Sequence, residues 1–103
     1  MTPEQDFDKA LFVLSEDESG RGEGLLRAVI SATRTSGDAV LLTRALCVLG
    51  EWLIEQSRQG EAQTLLRETL ATPVADEDLV AYERRRAKRL LAELQEAESQ
   101  SLE

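Results

Sequence analysis

Apolar residues recur at i, i+3, i+4 and i+7 in three places along the chain: Phe7-Ala10-Leu11-Leu14, Leu46-Leu49-Gly50-Leu53 and Ala87-Leu90-Leu91-Leu94. That spacing puts four side chains on one face of an α-helix. The steps between copies are 39 residues (7 to 46) and 41 residues (46 to 87), the signature of a helical repeat array. A second set recurs as well, since Gly20, Leu25, Leu26 and Arg27 match Gly60, Leu65, Leu66 and Arg67 at a spacing of 40. The pattern predicts helix, turn, helix, repeated.

Punctuation residues give the boundaries. Thr2-Pro3-Glu4-Gln5 matches a capping box with proline at the first helical position, so helix one is expected from Pro3 to about Ser15. The stretch from Glu16 through Asp17, Glu18 and Gly20 to Gly22 lacks apolar periodicity and is expected to be the first turn. Leu25, Leu26, Val29 and Ile30 mark a second helix, buried on one side and ending around Ser36-Gly37. Asp38 can cap a third helix, which carries Leu42, Leu46, Leu49 and Leu53 on one face and Leu41, Val48 and Trp52 on others. A helix apolar on several sides has neighbours on several sides, which makes this the central one. After Ser57-Arg58-Gln59-Gly60, a fourth helix shows Ala62, Leu65, Leu66, Thr69 and Leu70 and must end before Pro73. Asp76-Glu77-Asp78 then places carboxylates at the positive end of a fifth helix, which runs to about Glu98. Val80, Ala87, Leu90, Leu91 and Leu94 share one face of it, with Tyr82, Arg85 and Arg89 opposite; a polar outer face suits the terminal helix of an array. The expected architecture is all-α and one domain over residues 1–101. Leu102-Glu103 resembles a cloning junction and is left out of fold reasoning.

Composition narrows the function. With 103 residues the chain has room for one modest core. Net charge is -8, so nucleic acid or an anionic membrane surface would be repelled over most of the molecule, and partners should be neutral or locally basic. No apolar run approaches the roughly 20 residues that span a bilayer. Cys47 is the single cysteine, and no secretory signal pattern precedes the first helix, so a reducing cytoplasm is the expected location. The chain has no histidine, which removes the commonest general base and metal ligand together. Cys47 therefore lacks an activating partner, and pairs such as Asp17-Glu18 and Asp76-Asp78 stand in turns without an apolar pocket to raise a pKa. Gly20-Arg21-Gly22-Glu23-Gly24 has neither the spacing nor the preceding strand of a phosphate loop. No enzyme activity, metal or cofactor is expected.

The stretch Ala45-Leu46-Cys47-Val48-Leu49-Gly50-Glu51-Trp52-Leu53, followed by Gly60, Ala62, Leu66 and Pro73, resembles the tetratricopeptide repeat. Leu49-Gly50, Leu53, Ala62 and Leu66 supply that family's order of large and small residues in register, where small residues let two helix axes approach and large ones fill the gaps. Ser57 stands where the family usually has a turn glycine, Thr69 where it has alanine, and Pro73 falls about one residue early. The first repeat has Leu11 at the small position, for which Gly22 can compensate on the facing helix. The period near 40 is similar to long-helix variants of the family. The resemblance implies a right-handed array of antiparallel helix pairs: five helices, two repeats plus a C-terminal capping helix.

It also implies a protein–protein interaction module, an adaptor or chaperone-like protein that binds a peptide or helix of a partner in the groove lined by the first helix of each repeat. Carried over position by position, the groove residues are Arg44, Cys47, Glu51, Ile54 and Glu55; Gln5, Asp8, Phe12 and Ser15 in the first repeat; and Arg85, Lys88, Ala92 and Gln95 in the last helix. Phe12 is expected as an exposed aromatic anchor, or else as a ring packed on a neighbouring helix. Arg44, Arg85 and Lys88 are expected either to meet a carboxylate or to be ordinary solvated charge. The run from Arg84 to Arg89 reads as a solvated face, with Glu83 and Glu93 pairing with Arg86 and Arg89 along the helix. Glu83 itself falls inside the apolar stripe, as one half of a candidate internal ion pair. The alternative function is a self-associating structural protein whose Phe12, Val13 or Trp52 forms an isologous homodimer patch.

Overall fold

The computed structural model describes residues 2–16 and 19–101. Five α-helices follow in order: α1 (Pro3–Ser15), α2 (Ser19–Ser36), α3 (Ala39–Glu55), α4 (Gln59–Ala71) and α5 (Ala81–Ser101). A 3-10 turn over Glu77–Val80 leads into α5, and no strand occurs among the described residues. The Asp17-Glu18 part of the expected turn and the Leu102-Glu103 dipeptide lie outside the described residues.

The helix ends follow from their capping chemistry. Thr2 and Gln5 close a reciprocal box, with Thr2 Oγ1 accepting from the Gln5 N–H at 3.1 Å and Gln5 Oε1 accepting from the Thr2 N–H at 3.0 Å. Gly37 ends α2 with φ +80°, and the Asp38 carboxylate accepts from the Leu41 N–H at 3.1 Å to start α3. At the end of α3 the Ser57 N–H donates to Ile54 O and the Arg58 N–H to Leu53 O, the paired bonds of a Schellman motif. This geometry needs a left-handed residue, and Ser57 supplies it at φ 61°. Glycine would adopt that backbone more readily. Asp76 caps the 3-10 turn, not α5 itself, by accepting from the Asp78 N–H at 3.2 Å.

One boundary departs from expectation. Helix α2 begins at Ser19, so Gly20, Arg21 and Gly22 are helical and do not belong to a turn. The reason is packing: a Cβ on Gly22 would lie 2.5 Å from Leu14 Cδ2, so glycine is what lets α1 lie against α2. Gly50 does the same for α3 and α4, where a Cβ would lie 2.8 Å from Leu66 Cδ2. The period of the first repeat also changes. Ala10 and Val13 are the buried residues of α1, matching Gly50 and Leu53 at a step of 40 where apolar spacing alone gave 39. Leu11 is displaced from the small position and is 40% exposed.

Burial is deepest on α3. Leu41, Leu42, Ala45, Leu46, Cys47, Leu49, Gly50 and Leu53 are all buried. Most of these join one cluster with Ala10 of α1, Leu26, Val29 and Ile30 of α2 and Ala62 of α4. A smaller cluster joins Leu66 to Ala87, Leu90 and Leu94 of α5, and Ile54 packs against both. Buried hydroxyls remain satisfied, since Thr33, Thr43 and Thr69 donate to the carbonyls four residues back, Val29 O, Ala39 O and Leu65 O, at 2.8 to 2.9 Å.

Helix α1 packs on α2, α3 on both α2 and α4, and α5 on α4 and α3. The molecule measures 49 × 33 × 19 Å, a slab whose short dimension is about two helix diameters. Side-chain bridges show which helices lie side by side. Arg27 meets Glu61 at 3.0 Å and Arg34 meets Glu68 at 2.7 Å, each across 34 positions, so α2 and α4 run parallel. Arg44 Nη2 donates to Leu79 O at 2.9 Å and Cys47 Sγ to Glu83 O at 3.8 Å, while Arg86 pairs with Glu51; by the same reasoning α3 and α5 run parallel. Arg58, in the α3–α4 turn, bridges Glu23 at 2.9 Å and Glu61 at 2.8 Å and so clips α2 to α4.

Two predictions follow from this packing. Gly50→Ala should cost about 1–2 kcal/mol in urea denaturation, because Leu66 is fully buried and has nowhere to move, which outweighs alanine's better helix propensity. Gly22→Ala should also destabilise, but by less than Gly50→Ala, because Leu14 is only half-buried and can yield part of the space the new Cβ needs. The second prediction concerns acid. The Arg58 guanidinium holds the Glu23 and Glu61 carboxyls below their ordinary value of 4.5, so both stay charged in the fold to lower pH than in the unfolded chain. Their contribution is therefore present above about pH 4.5 and lost as pH falls through the depressed folded values. The thermal midpoint of Arg58→Ala should lie below wild type near pH 7, and the gap should narrow steadily below about pH 4.5.

Candidate functional site

Two concavities open along the line where α1 faces α3. One, of about 320 Å³, is bordered by Glu4, Phe7 and Asp8 of α1, by Asp38, and by Val40, Leu41 and Arg44 of α3. The other, of about 260 Å³, is bordered by Leu14 and Ser15 of α1 and by Val48, Glu51, Trp52 and Glu55 of α3. Glu4, Phe7, Asp8, Leu11 and Ser15 form one stripe at helical spacing, so the partly exposed Leu11 lies between the two concavities. Together they make a groove with an apolar centre of Leu11, Leu14, Val48 and Trp52. Carboxylates stand at both ends: Glu4, Asp8 and Asp38 at one, Glu51 and Glu55 at the other.

The sequence-predicted residues divide by place. Phe12 is 65% exposed, yet it borders neither concavity. With Ala10 in the small position, the residue presented to α3 is Leu11, and Phe12 points about 100° away from it. Arg44 borders the groove, but its guanidinium is already engaged on Leu79 O. Cys47 is 3% exposed, its thiol turned into the seam between α3 and α5; burial there, reinforced by the charges of Glu83 and Glu51, pushes it up to about 12. A thiol so held is not nucleophilic at neutral pH. Glu51 borders the groove while pairing with Arg86, and Ile54 is half-buried between the two cores. Arg85 and Lys88 are exposed on α5, beyond the seam.

The cationic run of α5 is less uniform than its sequence implies. Arg84 turns inward, 13% exposed, and donates to Thr69 O at 2.5 Å and Thr72 O at 2.7 Å while pairing with Glu77 at 2.8 Å. It thereby satisfies carbonyls that the end of α4 leaves open. Arg86 pairs with Glu51 across the seam, in place of the expected Glu83 on its own helix, because it projects from the α3 side of α5. That hydrogen bond raises Arg86 above its ordinary value, and Arg86 Nε is left buried without a partner. Glu93 does pair with Arg89, at 3.6 Å. Sequence reasoning missed Val48, Trp52 and Leu11 as groove lining, although their apolar character outside the main stripes was visible. No group of three or more potential metal ligands occurs among the described residues, and no described helix is long and apolar enough to cross a membrane.

No protein-family model matches the chain, no curated protein matches it, and no solved structure matches it.

Proposed function

We propose that this chain is a non-enzymatic interaction module of tetratricopeptide-like build: a right-handed array of two antiparallel helix pairs closed by α5 as a cap. Its groove between α1 and α3 receives a short helix or extended segment of another protein, within a reducing cytoplasm. The observation that carries the reading is the groove's composition. Leu14, Val48 and Trp52 border one concavity, Phe7, Val40 and Leu41 the other, and the exposed Leu11 shares their stripe on α1, with carboxylates bordering both concavities. Surface of that kind gains most by covering its apolar centre with a few partner side chains. The flanking carboxylates favour basic residues beside those anchors and disfavour an acidic competitor, which gives selectivity. The tie between Arg44 and Leu79 O weighs against a clamp for a partner carboxylate at this position.

Affinity capture tests this. Immobilised wild-type protein should retain a partner from lysate of its source cells, and Leu11→Asp/Val48→Asp should lose that partner while far-UV circular dichroism stays unchanged. Ala28→Asp, on an exposed position of α2 away from the groove, should still retain it. Capture that survives the groove substitutions and fails with Ala28→Asp would place the binding surface on the opposite side of the slab.

A further inference from the structure

Charge, hydrogen bonding and length together restrict what can lie in the α1–α3 groove. Glu4, Asp8 and Asp38 border one concavity and Glu51 and Glu55 the other, against a single bordering cation, Arg44. Asp38 is engaged as the cap of α3, and Glu51 takes up Arg86, the cation that reaches it from α5. Glu4, Asp8 and Glu55 enter no ion pair among the described residues. Lys9 does not offset them, since it lies about 160° around α1 from Leu11, on the opposite side of that helix. Three bordering side chains can donate a hydrogen bond, and two of these, Arg44 and Ser15, are held by Leu79 O and Phe12 O, which leaves the Trp52 indole N–H. An extended peptide laid along the groove would therefore leave most of its carbonyls facing apolar side chains and carboxylates, whereas a helix satisfies its backbone internally. The bordering stripe of α1 runs from Glu4 to Ser15, a span of about 17 Å, or three turns of helix.

We propose that the groove's occupant is a basic amphipathic helix of about three turns, an inference that rests on the reading of the chain as an interaction module and narrows its partner. The apolar face of that helix covers Leu11, Leu14, Val48 and Trp52, and its Lys or Arg residues meet Asp8 and Glu4 at one end and Glu55 at the other. Asp8 borders the first concavity and Ser15, with Glu55, the second; the two α1 residues are about two helical turns apart. Cations at i and i+7 with apolar residues at i+3 and i+4 place both kinds on one helix face in the matching order. An acidic helix would set like charges against each other at both ends. The cation-rich helix of this chain, α5, has its apolar face buried on α4 and α3, so a folded second copy does not offer such a helix and the occupant is a different protein.

Trp52 is the chain's single tryptophan and borders the groove, so its fluorescence reports occupancy directly. The probe is a synthetic alanine-rich peptide of about 14 residues with blocked ends, Lys at i and i+7 and Leu at i+3 and i+4. Titrated into the full chain at low salt, it should give a saturable change that weakens as salt is raised. The same peptide with Glu in place of Lys should bind at least about tenfold more weakly. So should one with proline at its centre, which cannot complete the helix. Asp8→Lys/Glu55→Lys should reverse the preference between the Lys and Glu peptides with circular dichroism unchanged, because both positions are exposed. No response of Trp52 to the Lys peptide up to about 1 mM overturns the proposal. So does equal affinity for the Lys and Glu peptides, or tighter binding of the proline peptide, which would mark an extended occupant. A self-association that Leu11→Asp/Val48→Asp abolishes and the Lys peptide fails to displace gives the groove to a second copy and overturns it as well. Each of these failures is distinct from failure of the broader reading, which still stands if the groove substitutions abolish capture of a partner from lysate.

Discussion

The structure depends on one constraint: α3 must be covered on nearly every side at once. Its apolar residues extend around most of the helix, so no single neighbour can bury them, and α2, α4 and α5 each take a share. The close approach this requires is paid for in side-chain volume at Gly50, where Leu66 of α4 occupies the space a Cβ would fill. Ala62, 0% exposed, completes the contact from the other helix. With α3 and α4 fixed together, the remaining helices are placed by what α3 still leaves uncovered.

The seams between like helices are of two kinds. Along α2 and α4 the bridges Arg27–Glu61 and Arg34–Glu68 are largely exposed, and each is worth about 0–1 kcal/mol; they set register more than stability. Along α3 and α5 the contacts are more enclosed and more polar. Arg86 reaches Glu51, Cys47 reaches a backbone carbonyl, and Arg84 holds the end of α4 against the start of α5. Helix α5 is thus tied by specific polar contacts around a small apolar cluster, while α1 to α4 share the main core. The groove lies between α1 and α3, whose mutual cover is thin enough to leave Val48 and Trp52 half-exposed, and its bordering residues Arg44 and Glu51 are held from the α5 side by Leu79 O and Arg86.

Much of this was legible in the residues. Helix number, the Thr2 and Asp38 caps, the stop at Gly37 and the central position of α3 follow from capping chemistry and apolar spacing, both local properties. What was not legible depends on partners distant in sequence. Gly22 reads both as part of a turn and as a small residue facing α1, and only its contact with Leu14 decides for the second. Leu11 reads as stripe and Phe12 as groove until Ala10 proves to take the close contact, a shift of one residue that rotates the helix face by about 100°. Cys47, Arg84 and Arg86 look like surface residues because their partners, Glu83 O, Thr69 O and Glu51, lie 15 to 36 positions away. Sequence pattern gives the periodicity of a face but not which neighbour will cover it.

Native-state hydrogen exchange resolved by residue reaches the central claim most directly. If α3 is the hub, its amides at Leu46, Leu49 and Gly50 exchange only through global unfolding, with protection equal to the full unfolding free energy, while α1 and the C-terminal half of α5 open earlier and independently. Amides of α3 that exchange as fast as those of α1 would mean that the helices do not share a common centre, and that the packing described around Gly50 and Leu66 does not hold the molecule together.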